Sequence, residues 1–306
     1  MITMKQNKRD IQGVLLLDKP VNMTSNAALQ KVKYLLSANK AGHTGSLDPL
    51  ADGMLPICLG AATKFSEFLL EEDKCYRVTA QLGITTTTGD AEGDIVKRCE
   101  LKEISSERFT EVLNLFRGRI TQIPPMYSAL KHQGKPLYVL ARQGLTVERK
   151  PRSVIIHDLE LFDRQRDCFS FNVHCSKGTY IRTLVEDVGE ALGCGAYVTS
   201  LRRTGVGIYN ETQMISLAEV IHRVEANGYT AVDSELLSVA SMMHKWPELV
   251  LPDASIFYMR RGQAVIVAFA PTEGWVRLYM KNGDFLGLGE ILSDGKVAPR
   301  KLISLL

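Results

Sequence analysis

The stretch AGHTGSLDPLADGMLP, residues 41–56, sets one carboxylate, Asp48, between Gly45-Ser46 and a Pro-Leu pair, with Gly53 close behind. Two readings compete. An aspartate followed by proline starts a helix well, because its side chain accepts a free N–H of the first turn and proline has no N–H to orphan. Glycines at 42, 45 and 53 point elsewhere, to close backbone approach that would let a large substrate reach the carboxylate. A paired-carboxylate glycosidase site is not read from this stretch.

Working outward, 306 residues exceed one typical domain and suggest about two. A chain that is 45% hydrophobic and 23% charged has the make-up of an ordinary soluble protein. The opening MITMKQNKRD is polar and lacks the apolar region of a secretory signal. AVIVAFA, residues 264–270, has the length of a buried strand and not of a membrane span. Cysteines at 58, 75, 99, 168, 175 and 194 form no CxxC pair, which suggests free thiols in a reducing cytoplasm. Histidines at 43, 132, 157, 174, 222 and 244 show no HxH or HxxxH spacing, so no metal site is expected, and His174 reads as strand packing. No Walker loop, dinucleotide fingerprint or GxSxG elbow occurs.

The elements follow from periodicity. VLLLDKP (14–20) reads as a buried strand stopped at Lys19-Pro20. Thr24 or Ser25 then caps a helix with Ala28, Leu29, Val32, Leu35 and Leu36 on one face. Residues 61–70 read as helical. YRVTAQL (76–82) alternates, placing Tyr76, Val78, Ala80 and Leu82 on one side of a strand. TTTTGDAEGD (85–94) is a polar turn, and SSERFTEVLNLFRG (105–118) is an amphipathic helix ended by Gly118. FSFNVHC (169–175) is a strand leading through Ser176-Lys177-Gly178 into a helix bearing Ile181, Leu184, Val185, Val188 and Leu192. After KWPELVLPDAS (245–255) the chain turns to short strands and glycine turns, as in a small β-barrel module. The result is an α+β body followed by a C-terminal β domain.

Charge is uneven. The segment 117–152 carries eight lysines and arginines against Glu148 alone, a net +7, so the rest sums to −4 in a chain of net +3. Such a concentration is either a solvated face or an electrostatic footprint for a polyanion.

Five blocks decide between these readings: GVLLLDKPVNMTSNAAL, GHTGSLDPLADGMLP, KCYRVTAQLG, PPMYSALKHQGKPLYVLARQG and CSKGTYIRTLVEDVGEALGCGAYVTSLRRTGVG. In this order they resemble the bacterial TruB family of tRNA pseudouridine-55 synthases over most of residues 11–207, and the likeness resumes after 248. The resemblance implies a mixed or antiparallel sheet with flanking helices, a basic thumb inserted at about 120–152, a catalytic domain over 1–247, and a PUA-like RNA-binding domain over 248–306. It implies isomerisation of uridine 55 in the T-arm loop of tRNA. That reaction breaks C1′–N1 and joins C1′ to C5, conserving atoms, so no cofactor and no metal are needed.

By the same resemblance Asp48 is the nucleophile that holds the reaction in a covalent intermediate. It must reach a nucleotide pulled out of its loop. Tyr76 stacks on the flipped uracil near the C5 proton, and Arg182 pairs with Asp48. Tyr180 and Leu201 line the uracil pocket, His43 fills space vacated in the T-loop, and Lys19-Pro20 is scaffold. Thumb residues such as Lys131 and Arg142 contact phosphates, giving affinity and register, and the thumb is expected to be mobile without RNA. The family often has Arg-Thr-Asp-Thr where this chain has Thr85-Thr86-Thr87-Thr88, which puts ionic contacts from 85 and 87 in doubt. The implied protein is a cytoplasmic monomer that needs no protein partner and no membrane. Two rivals stand beside it: a tRNA-binding folding helper with secondary or no catalysis, and the catalytic subunit of a guide-RNA-dependent synthase.

Overall fold

Beyond Asp48 the chain enters a strand and not the helix that Asp-Pro would start. Residues Asp52–Leu59 are extended, and every one from Gly53 onward is buried. A strand apolar on both faces belongs in the middle of a sheet covered on both sides. It lies antiparallel to Gly13–Lys19 and parallel to Ala196–Val206. These features come from a computed structural model that describes residues 8–303; MITMKQN, the start of the stretch read as free of a secretory signal, lies outside the described residues.

The sheet runs in the order Ile215–Ser216, Gly13–Lys19, Asp52–Leu59, Ala196–Val206, Lys74–Leu82, Cys168–Cys175, Arg152–Arg164, Gly118–Gln122. Ala41–His43 and Tyr209–Asn210 attach at its margins, so ten strands of the described residues share it. Two neighbour pairs in that order are parallel, Gly13–Lys19 with Ile215–Ser216 and Asp52–Leu59 with Ala196–Val206; the others are antiparallel. The sheet is therefore mixed, as the α+β reading expects.

Period-two alternation divides the strands Gly13–Lys19 and Asp52–Leu59 between two cores. Leu15, Leu17, Leu55, Ile57, Val78 and Ala80 face one side, where they meet Val32, Phe109, Val112, Leu184, Val188 and Val220. Those residues come from the helices Ser25–Leu35, Ser106–Leu115, Ile181–Ala191 and Leu217–Asn227, which all pack on that face. Thr24, not Ser25, caps the first helix, accepting the Ala27 N–H. Val14, Leu16, Met54 and Cys58 face the other side against Phe65, Leu69, Met242 and Met243.

The second core also receives the C-terminal unit. Four strands, Glu248–Val250, Gly274–Tyr279, Phe285–Ile291 and Val297–Leu302, pair in chain order. Leu288 and Ile303 join the core of the body, and Phe68 meets Trp246 edge-on at 4.9 Å while Trp246 stacks on Trp275 at 5.5 Å. Aromatic area of this kind makes the junction apolar and close-packed. AVIVAFA is not the strand that its composition suggests. Only Val265 makes a ladder bridge, to Val297, while Ile266 and Phe269 are 76% and 102% exposed.

The basic segment connects the edge strand Gly118–Gln122 to its neighbour Arg152–Arg164, and the two pair antiparallel. Between them lie a two-residue hairpin, Lys131–His132 with Lys135–Pro136, and the short helix Leu137–Arg142. Leu137 and Leu140 are buried, so this excursion carries apolar packing of its own.

Candidate active site

The loop that carries Asp48 is pinned on both sides. The buried Ser25 hydroxyl accepts the Leu47 N–H at 2.7 Å and donates to the Leu47 carbonyl at 3.0 Å. The Asp48 carbonyl accepts the Ala51 N–H, and the Pro49 carbonyl accepts the Asn22 N–H. Asp48 thus caps no helix, and its carboxylate projects freely. It is 40% exposed and meets Arg182 Nε through Oδ2 at 2.9 Å.

Arg182 begins the helix Ile181–Ala191 and is only 6% exposed. Its guanidinium is fully employed. Nη1 donates to the Thr88 carbonyl at 2.6 Å and Nη2 to the Tyr127 carbonyl at 2.7 Å. The buried Asp90 carboxylate stands 3.6 Å from Nη1. Asp90 is fixed in turn by the Thr88 hydroxyl at 2.5 Å and the Glu92 N–H at 3.0 Å. The Thr85–Thr88 run therefore has a clear use at its end: Thr88 supplies one atom to Arg182 and another to Asp90.

Three carboxylates surround this one guanidinium. Burial pushes the pKa of Asp48 above the usual carboxylate range; Arg182 opposes the rise, Asp90 reinforces it, and Lys19 opposes it. Burial likewise lifts Glu186, one turn along the helix, to about 7 against the pull of Arg182. Desolvation favours the neutral acid and a neighbouring cation favours the carboxylate. Lys19 is fully buried, donates to the carbonyls of Pro20 and Met23, and is itself pulled down to about 8 by burial.

Tyr76 and Leu201 come from adjacent central strands, Lys74–Leu82 and Ala196–Val206. Tyr76 lies directly across the ladder from Arg203. Burial raises the Tyr76 phenol, with Arg203 opposing, so the side chain stays protonated at neutral pH. Tyr180 caps the Arg182 helix without a side-chain bond; instead Gln122 clasps its backbone, accepting its N–H at 3.0 Å and donating to its carbonyl at 3.2 Å.

These side chains line a cavity of about 440 Å³, with Gly45, Ser46, Asp48, Tyr76, Tyr180, Arg182, Leu201 and Arg203 in its wall. A second cavity of about 730 Å³ adjoins it and holds His43, Asp90, Tyr138 and Arg142. Asp48 and Arg182 line both, so the ion pair stands at the partition. His43 therefore sits beside Asp48 but outside the Tyr76 cavity; burial lowers its pKa and its Nδ1 has no hydrogen-bond partner. Arg142 lies over the Tyr138 ring at 5.6 Å. Lys131 is exposed on the hairpin and lines neither cavity.

The glycines around Asp48 serve an arginine more than substrate access. A Cβ on Gly53, whose φ is +94°, would lie 2.3 Å from the Arg203 carbonyl oxygen. Gly45, at φ +83°, offers its carbonyl to Arg203 Nη2. Both support the seating of Arg203, 1% exposed, whose Nε also donates to the Met54 carbonyl at 2.6 Å. Sequence reasoning missed Arg203, Asp90, Gln122 and Ser25. Arg203 had a signal in LRRTGVG and Asp90 in the turn after LG; Gln122 and Ser25 had none, since each acts through backbone groups brought close only by the fold.

The same fold occurs in solved structures. The chain superposes on the crystal structure of a Cbf5–Nop10–Gar1 complex with a TM-score of 0.71 at 24% identity, covering 95% of this chain and 84% of that one. It superposes equally on an H/ACA RNP bound to a substrate RNA containing 2′-deoxyuridine, with a TM-score of 0.72 at 22% identity over 96% and 85% of the two chains. The shared fold is a large mixed sheet with a smaller C-terminal sheet.

Residues 33–181 match the N-terminal domain of the TruB family pseudouridylate synthases, residues 182–243 the C-terminal domain of tRNA pseudouridylate synthase B, and residues 247–303 the C-terminal region of pseudouridine synthase II TruB. The tRNA pseudouridine synthase B of Coxiella burnetii is 55% identical over 97% of this chain and 96% of its own. Those of Nitrosococcus oceani and Pseudomonas fluorescens are 52% and 53% identical, over 98% and 99% of both chains. The chain belongs to the TruB family.

Proposed function

We propose that the protein isomerises uridine 55 in the T-arm loop of tRNA to pseudouridine, with Asp48 as the covalent nucleophile. The observation that carries this reading is the Asp48 carboxylate itself, open to a nucleotide-sized cavity on one side and held by a buried arginine on the other. Arg182 opposes the desolvation that would protonate it and fixes where its free oxygen points. An everted uridine enters the cavity with its base against Tyr76 and between Tyr180 and Leu201. The C1′–N1 bond breaks, the base turns while the carboxylate holds the fragment, C5 bonds to C1′, and the proton leaving C5 is balanced by one taken up at N1. Tyr76 lies beside that proton as a neutral phenol.

The second cavity, with His43 and Arg142, receives the parts of the loop that surround the everted nucleotide. Lys131 and its basic neighbours meet the phosphates of the arm. We assign residues 1–247 to catalysis, with the thumb over about 120–152, and the segment from 248 to RNA binding. The protein acts as a cytoplasmic monomer without an obligatory partner; among the described residues no helix is long and apolar enough to cross a membrane, and all six cysteines are free.

Incubation with unmodified tRNA labelled at uridine C5 tests the proposal. Label release mapped to the single T-loop position, and lost when that uridine is replaced by cytidine, is expected. Release from any other position, or none, overturns the assignment.

A further inference from the structure

The histidines are scattered in sequence, yet the sheet brings two of them together with an acid. His157 lies on the strand Arg152–Arg164 and His174 on its neighbour Cys168–Cys175. Ile156 pairs with Cys175 and Asp158 with His174, so the register slips at His157, which has no partner of its own. An extra residue of this kind re-aims its side chain. The outcome is two imidazole rings 4.7 Å apart. Asp73, immediately before the strand Lys74–Leu82, reaches the same spot, with Oδ2 3.2 Å from His157 Nε2 and 3.8 Å from His174 Nε2. One donor atom from each of the three lies within 4.8 Å of the others.

We propose that Asp73, His157 and His174 form a surface site for a first-row transition-metal dication of the zinc class. Two imidazoles and a carboxylate suit borderline ions such as zinc, whereas magnesium prefers an all-oxygen shell. With bonds of roughly 2.0–2.1 Å, neighbouring donors of a tetrahedral zinc site stand about 3.3 Å apart. The Asp73–His157 separation already matches this, and the Asp73–His174 separation closes by a small ring rotation. The three side chains are 42%, 35% and 46% exposed, which leaves the remaining coordination position to water. Cys75, the ladder partner of His174, is a soft donor on the adjacent strand.

None of the three residues lines the Asp48 cavity, so the site is separate from the chemistry. The bound ion would join the paired strands Arg152–Arg164 and Cys168–Cys175 to Asp73, far earlier in the chain, and an ion that binds only the folded chain stabilises it by mass action. Its position next to Lys74, which lines that cavity, puts the effect beside the proposed catalytic cleft.

The experiment is a zinc titration of the full chain, followed by thermal unfolding and by calorimetry, with cobalt as a spectroscopic substitute and magnesium as a control. The expected result is one equivalent bound at micromolar zinc, a rise in Tm, and no response to magnesium. His157→Ala and His174→Ala should each lose the rise, and Asp73→Asn should weaken binding at least tenfold. In the wild type, the cobalt spectrum should show the visible ligand-field bands of a tetrahedral ion without the near-ultraviolet band of thiolate ligation; this reading needs no variant to fold. The proposal is overturned by an absent response up to millimolar zinc, by a thiolate band, or by an unchanged response in the double histidine variant.

Discussion

Replacing Arg182 by lysine keeps a positive charge next to Asp48 and removes the planar fork that places it. Arg182 makes three bonds at once: to the Asp48 carboxylate at 2.9 Å and to the carbonyls of Thr88 and Tyr127 at 2.6 and 2.7 Å. One ammonium cannot span these three directions. A hydrogen bond to a charged group is worth about 1.5–3 kcal/mol, so losing one of them removes about 1.5–3 kcal/mol of positioning. If that falls on the transition state, kcat drops roughly 10- to 150-fold.

Arg182→Met removes the charge as well, and the pH profile then separates charge from shape. In the proposed mechanism Asp48 acts as a carboxylate, so activity should be lost as pH falls through its pKa in the folded enzyme. Arg182 holds that pKa down against burial; without the cation the pKa rises, and the acid limb of kcat/KM moves to higher pH. Glu186 faces the same guanidinium and moves in the same direction, so the limb reports the cluster and not one residue. Arg182→Lys should therefore lose rate with its acid limb in place, and Arg182→Met should lose rate with the limb displaced upward. Single-turnover label release across pH reads both. A lysine variant within threefold of wild type, or a methionine variant with an unmoved limb, would refute the reasoning.

Tyr76→Phe keeps the ring against the base and removes the hydroxyl near Arg203; kcat should fall by about 10²-fold or more while tRNA affinity changes little, and an unchanged kcat would count against Tyr76. Neutralising Lys131 and Arg142 together should flatten the slope of log affinity against log salt by about one unit per phosphate that is no longer neutralised; an unaltered slope in a filter-binding series would remove the thumb from the interface. Gly53→Ala places a Cβ 2.3 Å from the Arg203 carbonyl oxygen at φ +94°, and denaturant unfolding should show a loss of at least about 2 kcal/mol; a neutral result would mean the Arg203 seat is softer than its hydrogen bonds imply.

Much of this architecture is legible in the amino-acid sequence. The strands at 76–82 and 169–175 and the helices after Thr24, Ser105 and Tyr180 follow from clean periodicity, the strand at 14–20 follows from its unbroken apolar run, and the five quoted blocks carry the family. Arg152–Arg164 does not read as a strand because register slips after Ile156 and again after Leu161, which breaks its alternation twice. Asp52–Leu59 escapes pattern reading because it is buried on both faces and shows no alternation at all. AVIVAFA fails in the opposite sense: its composition is that of a strand, but Phe269 has a positive φ and points outward. At the site, Asp48 and Arg182 are visible as residue types, whereas the supports around them are not. Ser25, Gln122 and Thr88 work through backbone groups of distant segments, and that information exists only in the fold.

Asp48→Asn keeps size and shape and removes the carboxylate on which the proposed mechanism depends. With C5-labelled tRNA in single turnover, the variant should bind with wild-type affinity and release no label above background. Release at even a hundredth of the wild-type rate, from a preparation shown by mass spectrometry to hold asparagine at position 48, would mean that bond exchange proceeds without that carboxylate.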